Sequence, residues 1–109
     1  MAIFVHISEF IITPTSVNAT LGSTATFTCS ASRGSINWII NGSTLWELNR
    51  ADITISPTGT SLYILATEEY NNTNLMCVVA IRGEGFLDSD LAVLRVQGMM
   101  LPIHMLILF

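Results

Sequence analysis

Polar and apolar residues alternate with a period of two along most of this chain. Thr24-Ala25-Thr26-Phe27-Thr28-Cys29-Ser30-Ala31 keeps the alternation unbroken, the mark of a strand with one face buried. Ile53-Thr54-Ile55-Ser56 and Ser61-Leu62-Tyr63-Ile64 repeat it. Turn-forming residues interrupt these runs at Leu21-Gly22-Ser23, Ser32-Arg33-Gly34-Ser35, Asn41-Gly42, Ser56-Pro57-Thr58-Gly59, Tyr70-Asn71-Asn72-Thr73 and Arg82-Gly83-Glu84-Gly85. Asn-Gly between apolar runs predicts a hairpin, because both residues accept the left-handed conformations of a two-residue turn. No segment holds apolar residues at i, i+3 and i+4 long enough for a helix. Short strands between regular turns predict an all-β sandwich or barrel.

At 109 residues the chain is the size of a single domain. Charged residues make up 11% and the net charge is −4, against about 25% charged residues in an average domain. The only basic side chains apart from histidine are Arg33, Arg50, Arg82 and Arg95. They are scattered, whereas nucleic-acid binding needs a basic patch or stripe. A nucleic-acid partner is excluded on that ground.

Two cysteines, Cys29 and Cys77, permit one disulfide, which persists in an oxidising compartment. The sequons Asn18-Ala19-Thr20, Asn41-Gly42-Ser43 and Asn71-Asn72-Thr73 point to that compartment. They are expected in surface loops, as N-glycosylation acceptors at Asn18, Asn41 and Asn71. The chain is therefore expected to be extracellular or at the cell surface, with Cys29 and Cys77 joined. Cys29 ends one alternating run and Cys77 lies in the apolar run Leu75-Met76-Cys77-Val78-Val79-Ala80-Ile81. A bridge between them pins two facing sheets, and Trp38 on the next strand is placed to pack its ring against it. Closing a loop of 48 residues stabilises the fold by roughly 4 kcal/mol in the chain-entropy treatment.

The spacing Cys29…Trp38…Cys77, preceded by Leu21-Gly22-Ser23 and followed by Leu91-Ala92-Val93-Leu94-Arg95-Val96, resembles an immunoglobulin-superfamily domain of compact adhesion or receptor type. The resemblance spans residues 10–97 and implies an immunoglobulin-like antiparallel sandwich of two sheets with one inter-sheet disulfide. In the family's lettering Leu62-Tyr63-Ile64 is similar to strand E, and Ala92, Leu94 and Val96 to the inward positions of strand G. Phe27, Trp38, Leu62, Ile64 and Leu94 are the expected core. One departure stands out. The family's corner tyrosine, two residues before the second cysteine, is replaced by Leu75, so a looser E–F corner is expected.

The ends do not fit this frame. Residues 1–9 are expected to be irregular: they lack the basic start, continuous apolar run and small-residue cleavage site of a secretory leader. Residues 98–109 form an apolar tail. The apolar stretch 99–109, interrupted by His104, is shorter than the roughly 20 residues that cross a bilayer. The expectation is a fragment, missing a leader and stopping where a membrane segment begins, so that membrane attachment runs through a truncated C-terminal segment; an exposed apolar tail is the other reading.

Chemistry is absent from the inventory. Both histidines, His6 and His104, lie in the ends, and the cysteines are used in the bridge. Glu84, Asp88 and Asp90 gather near one turn and offer oxygens of the kind that bind Ca²⁺, but a solvated hairpin tip is the reading preferred. Glu68-Glu69 is read as solvated too. The chain is not expected to be an enzyme, and no catalytic residue, metal ligand or cofactor is assigned.

Cysteine and tryptophan set which parity faces inward, since successive side chains point to opposite faces of a strand. On strands B, D and E the outward set is Thr24, Thr26, Thr28, Ser30, Thr54, Ser56, Ser61 and Tyr63, a wettable surface. On strands C, F and G it is Asn37, Ile39, Met76, Val78, Ala80, Leu91, Val93 and Arg95, which is mostly apolar. Contiguous exposed apolar surface marks an interaction site. The expected interface is Ile39, Met76, Val78, Ala80, Leu91 and Val93, extended by Trp46, with the hairpin at residues 82–86 at one end. The resemblance implies adhesion or receptor function, and the expected partner is a protein, homophilic or heterophilic. The alternatives are a structural spacer domain in a multi-domain extracellular protein, and an immune-type receptor that reads its ligand with loops.

Overall fold

The computed structural model describes residues 9–44 and 51–98. Trp46, the histidines, residues 1–8 and the apolar stretch 99–109 lie outside the described residues. Among the described residues eleven strands follow one another: β1 Phe10–Ile12, β2 Val17–Thr20, β3 Thr24–Thr28, β4 Ser30–Ala31, β5 Ser35–Ile40, β6 Ser43–Thr44, β7 Ile53–Ile55, β8 Ser61–Leu65, β9 Thr73–Ile81, β10 Gly85–Asp88 and β11 Ala92–Gln97. A 3-10 turn, Glu68–Tyr70, precedes β9.

Nine of these strands form two sheets packed as a sandwich, and β1 and β4 make a separate two-stranded pair. One sheet runs β3-β8-β7. The other runs β2-β11-β9-β5-β6, with β10 also paired to β9. In the lettering used above, β3, β8 and β7 are B, E and D, and β5 and β9 are C and F. Strand G is divided into β10 and β11. The alternating runs form strands because every second side chain can enter the space between the sheets. Ala25 and Phe27 are buried while Thr24, Thr26 and Thr28 are exposed. Phe27, Trp38, Leu62, Ile64 and Leu94 all lie in the core, none more than 1% exposed.

Cys29 and Cys77 are disulfide-bonded across the sandwich, with Cα atoms 6.6 Å apart. Trp38 stands directly beside Cys77 on the neighbouring strand. Its indole Nε1 donates to the Gly59 carbonyl at 2.8 Å, so the one polar atom of the buried ring is satisfied. The hairpin at Asn41-Gly42 forms as the sequence predicts. Asn41 has φ +50° and Gly42 φ +84°, and Ile40 pairs with Ser43 across the turn.

The first strand is where the sequence pattern is least informative. Pro14 falls in a gap that splits it into β1, paired with β4, and β2, which runs parallel to β11. Proline supplies no N–H for a ladder, so the chain leaves the β1–β4 pair there and joins the large sheet at β2. This placement corrects one expectation: Asn18 sits on edge strand β2, exposed, and not in a loop.

The E–F corner is also held differently from the looser arrangement expected. Leu75 is fully buried and offers no hydroxyl. Instead the Thr73 hydroxyl donates to the Tyr70 carbonyl at 2.6 Å, and Tyr70 Oη donates to Asp52 Oδ1 at 2.7 Å. Asn71 Oδ1 accepts the Val96 N–H at 2.8 Å, which ties the corner to β11. A threonine, a displaced tyrosine and an asparagine share the work of the missing corner hydroxyl.

Candidate interaction face

The outer face of β5, β9, β10 and β11 is built on β9, whose odd-numbered residues point into the core. Cross-strand pairing sets the rows. Ala80 lies between Ser35 and Phe86, and Val78 between Asn37 and Asp88. Met76 lies opposite Ile39, and Asn74 opposite Val93.

The last strand carries the feature that shapes this face. Asp88 pairs with Val78 and Ala92 pairs with Leu75, so residues 89–91 stand opposite only Cys77 and Met76. This is a one-residue bulge, and it reverses the parity of the strand. Even-numbered residues face outward on β10 and odd-numbered ones on β11, which brings Phe86 and Leu91 to the same outer face. Ser89 makes the bulge affordable in hydrogen bonds. Its N–H donates to the Cys77 carbonyl at 2.9 Å, and its hydroxyl oxygen accepts the Cys77 N–H at 3.0 Å. The same hydroxyl donates to the Asp90 carbonyl at 3.0 Å.

The exposures revise the expected interface. Leu91 is 63% exposed, whereas Val78 is only 7% exposed. Val78 is shielded because paired strands flank it on both sides, so it offers little surface to a partner. Ile39, Met76, Ala80 and Val93 are half-buried. Phe86, 73% exposed, adds apolar surface to this face that strict period-two reading of the last strand misses, whereas Leu87, paired with inward-facing Val79, points the other way. Nothing in Ser89-Asp90-Leu91 announces a bulge, since none of its residues is a glycine. Ile39, Met76 and Leu91, with Asn41, Gly42 and Asn74, line a shallow hollow of about 390 Å³.

Ionic contacts gather at the hairpin end. Arg33 Nε lies 3.1 Å from Glu9 Oε1, and the Arg33 guanidinium engages both oxygens of Glu84, at 2.5 and 2.7 Å. Glu84 is therefore committed to an ion pair and does not join Asp88 and Asp90 as a calcium ligand. Among the described residues no group of His, Cys, Asp or Glu side chains is arranged to hold a metal ion. Gly34, beside Arg33, has φ +91°, and a Cβ there would stand 2.7 Å from the Ala80 carbonyl. The turn that carries Arg33 thus presses directly on β9.

Hydrogen bonds from Arg33 and then Ser32 hold the Glu9 carboxyl below its ordinary value of 4.5, and Glu84 first, then Glu9, hold Arg33 more firmly protonated than usual. A depressed carboxylate contributes stability that is present above its unfolded value and is lost as pH falls through its folded value. The expected result is a Glu9 midpoint below 4.5 in a carboxyl NMR titration, returning toward the ordinary value in Arg33→Gln. An unchanged midpoint in that variant would show that Arg33 is not the cause.

The profile of the immunoglobulin domain family matches residues 15–87. The chain belongs to the immunoglobulin domain family. Solved immunoglobulin structures resemble it closely in fold. The first domain of Duf (Kirre) is 22% identical with a TM-score of 0.66, over 80% of this chain and 93% of that one. Sidekick-1 immunoglobulin domains 1–4 are 20% identical with a TM-score of 0.68, over 80% of this chain and 23% of that one. The titin domains Z1Z2 in complex with telethonin are 26% identical with a TM-score of 0.63, over 81% and 46%. The chain likewise spans 46% of the tandem immunoglobulin repeats of Dlar, so it matches less than half of the length of several of these structures. No curated protein is similar enough in sequence to count as a relative.

Proposed function

We propose that this immunoglobulin domain is an extracellular binding or adhesion module that recognises a protein partner through the outer face of β5, β9, β10 and β11. The observation that carries the reading is that Phe86 and Leu91 share one face, each more than 60% exposed, with Leu91 bordering a hollow lined by Ile39 and Met76 and Phe86 farther along β9, opposite Ala80. Large apolar side chains left exposed on one face mark an interaction site. The disulfide and the likeness to Sidekick-1 and Duf domains support an oxidising, extracellular setting. Loop-based recognition is less favoured, because Arg33 and Glu84 tie the β4–β5 and β9–β10 loops to each other.

A second reading, a spacer whose apolar face is buried against a neighbouring domain, draws on the tandem-domain structures that the chain matches. Sedimentation across a concentration series separates the two, using secreted chain and a Phe86→Glu/Leu91→Glu variant checked by circular dichroism. Both side chains are exposed, so the variant is expected to fold. Self-recognition predicts a discrete dimer that the variant loses. A monomer in both excludes a second copy as the partner, and non-saturating aggregation relieved by the variant favours the spacer.

A further inference from the structure

We propose that Asn18, Asn41 and Asn71 each carry an N-linked glycan, and that Asn71 accepts its glycan only before β9 closes onto the corner that precedes it. The proposal rests on the extracellular reading above. In the transfer, the side-chain Nδ2 attacks the anomeric carbon of an oligosaccharide held on a polyprenyl pyrophosphate. The new C–N bond replaces the C–O bond to phosphate, Nδ2 loses a proton, and the lipid pyrophosphate leaves. The transferring enzyme must also reach the hydroxyl two residues downstream, which is why the acceptor is N-x-S/T.

Each acceptor asparagine reaches the surface, Asn18 and Asn41 exposed and Asn71 half-buried. Asn18 is exposed on β2. Asn41, exposed at the hairpin turn, accepts the Asn74 N–H through Oδ1 at 2.9 Å. Asn71 accepts the Val96 N–H through Oδ1 at 2.8 Å. Both of these bonds use the carboxamide oxygen, which glycosylation at nitrogen leaves intact. A glycan therefore adds to each site without removing a contact that the fold uses.

Access to the downstream hydroxyl divides the sites. Thr20 is exposed and Ser43 half-buried. Thr73 is 2% exposed, and its hydroxyl is engaged with the Tyr70 carbonyl. Once β9 is in place the Asn71 sequon is closed to the enzyme, although its asparagine still reaches the surface. The Cys29–Cys77 bridge locks β9 from a position four residues beyond Thr73, so disulfide formation sets the time available. The three sites also share one part of the large sheet. Asn18 pairs with Arg95, Asn71 holds Val96, and Asn41 holds Asn74, whereas Phe86 lies toward the other end of β9, opposite Ala80. Glycans there border the hollow at Asn41 and leave the Phe86 end bare.

The test places the full chain behind a cleavable leader, in microsomes, with and without a thiol reductant that holds Cys29 and Cys77 apart. Occupancy is read by enzymatic deglycosylation in heavy-oxygen water, which converts each occupied asparagine to labelled aspartate. Asn18 and Asn41 are expected to be occupied in both conditions, and Asn71 occupancy is expected to rise with reductant relative to Asn18. Equal Asn71 occupancy in the two conditions, whether full or nil, overturns the gating. An empty Asn18 or Asn41 overturns the assignment of those sites. Because the added leader delivers the chain to the lumen, these outcomes do not depend on which partner or face the domain uses, which sedimentation tests separately.

Discussion

Trp38→Ala is expected to lower the unfolding free energy by about 3–5 kcal/mol, the cost of removing a fully enclosed aromatic ring and leaving a cavity. The ring is 1% exposed and lies beside the disulfide between the sheets. Part of the cost has a different origin, because Nε1 donates to the Gly59 carbonyl in the turn between β7 and β8. Trp38→Phe separates the contributions. It keeps much of the ring and loses the hydrogen bond, so its smaller penalty reports an unpaired acceptor, about 1–3 kcal/mol where the group stays dry. Urea unfolding checks both variants. A lower midpoint with an unchanged denaturant slope is expected. A Trp38→Ala penalty below about 1 kcal/mol would contradict the enclosed position described here.

Removing the bridge is expected to have an effect of the same size by another route. In Cys29→Ala/Cys77→Ala the loss comes chiefly from releasing a 48-residue loop in the unfolded chain, about 4 kcal/mol, with the two enclosed sulfur atoms adding a packing loss. Small domains hold only about 5–15 kcal/mol in total, so this variant should be near its folding limit at body temperature. The single variants leave one buried thiol and are less clean. Thermal unfolding of the double variant, with the folded population read by circular dichroism, checks the expectation. A melting temperature matching the parent would mean that the unfolded state is already compact around residues 29–77.

Much of the fold is legible in the chain because one rule, period-two burial, governs it. Cys29, Trp38 and Cys77 set the parity, and Thr24–Thr28 and Ala92–Gln97 follow it. The exceptions have separate physical causes. Pro14 divides a strand between the β1–β4 pair and the large sheet, and the parallel pairing of β2 with β11 depends on a partner nearly eighty residues away, which no local pattern reveals. The corner is secured by Tyr70, Thr73 and Asn71, residues whose turn-forming character is visible but whose partners are not. The outer face is half legible. Leu91 is read correctly as exposed, Val78 is shielded by neighbouring strands, and Phe86 arrives there because of a bulge that no residue type signals.

That bulge gives chain length, more than residue identity, control over what the outer face displays. A substitution at Phe86 or Leu91 changes one side chain. Deleting a single residue between positions 88 and 92 would instead restore plain alternation. Either Phe86 would turn toward the opposing sheet or the whole hairpin would slide by one position, with every apolar side chain still in the sequence. Insertions and deletions in this short stretch are therefore a separate kind of variation, able to redraw the surface presented by the last strand while the disulfide, Trp38 and the core register stay as they are.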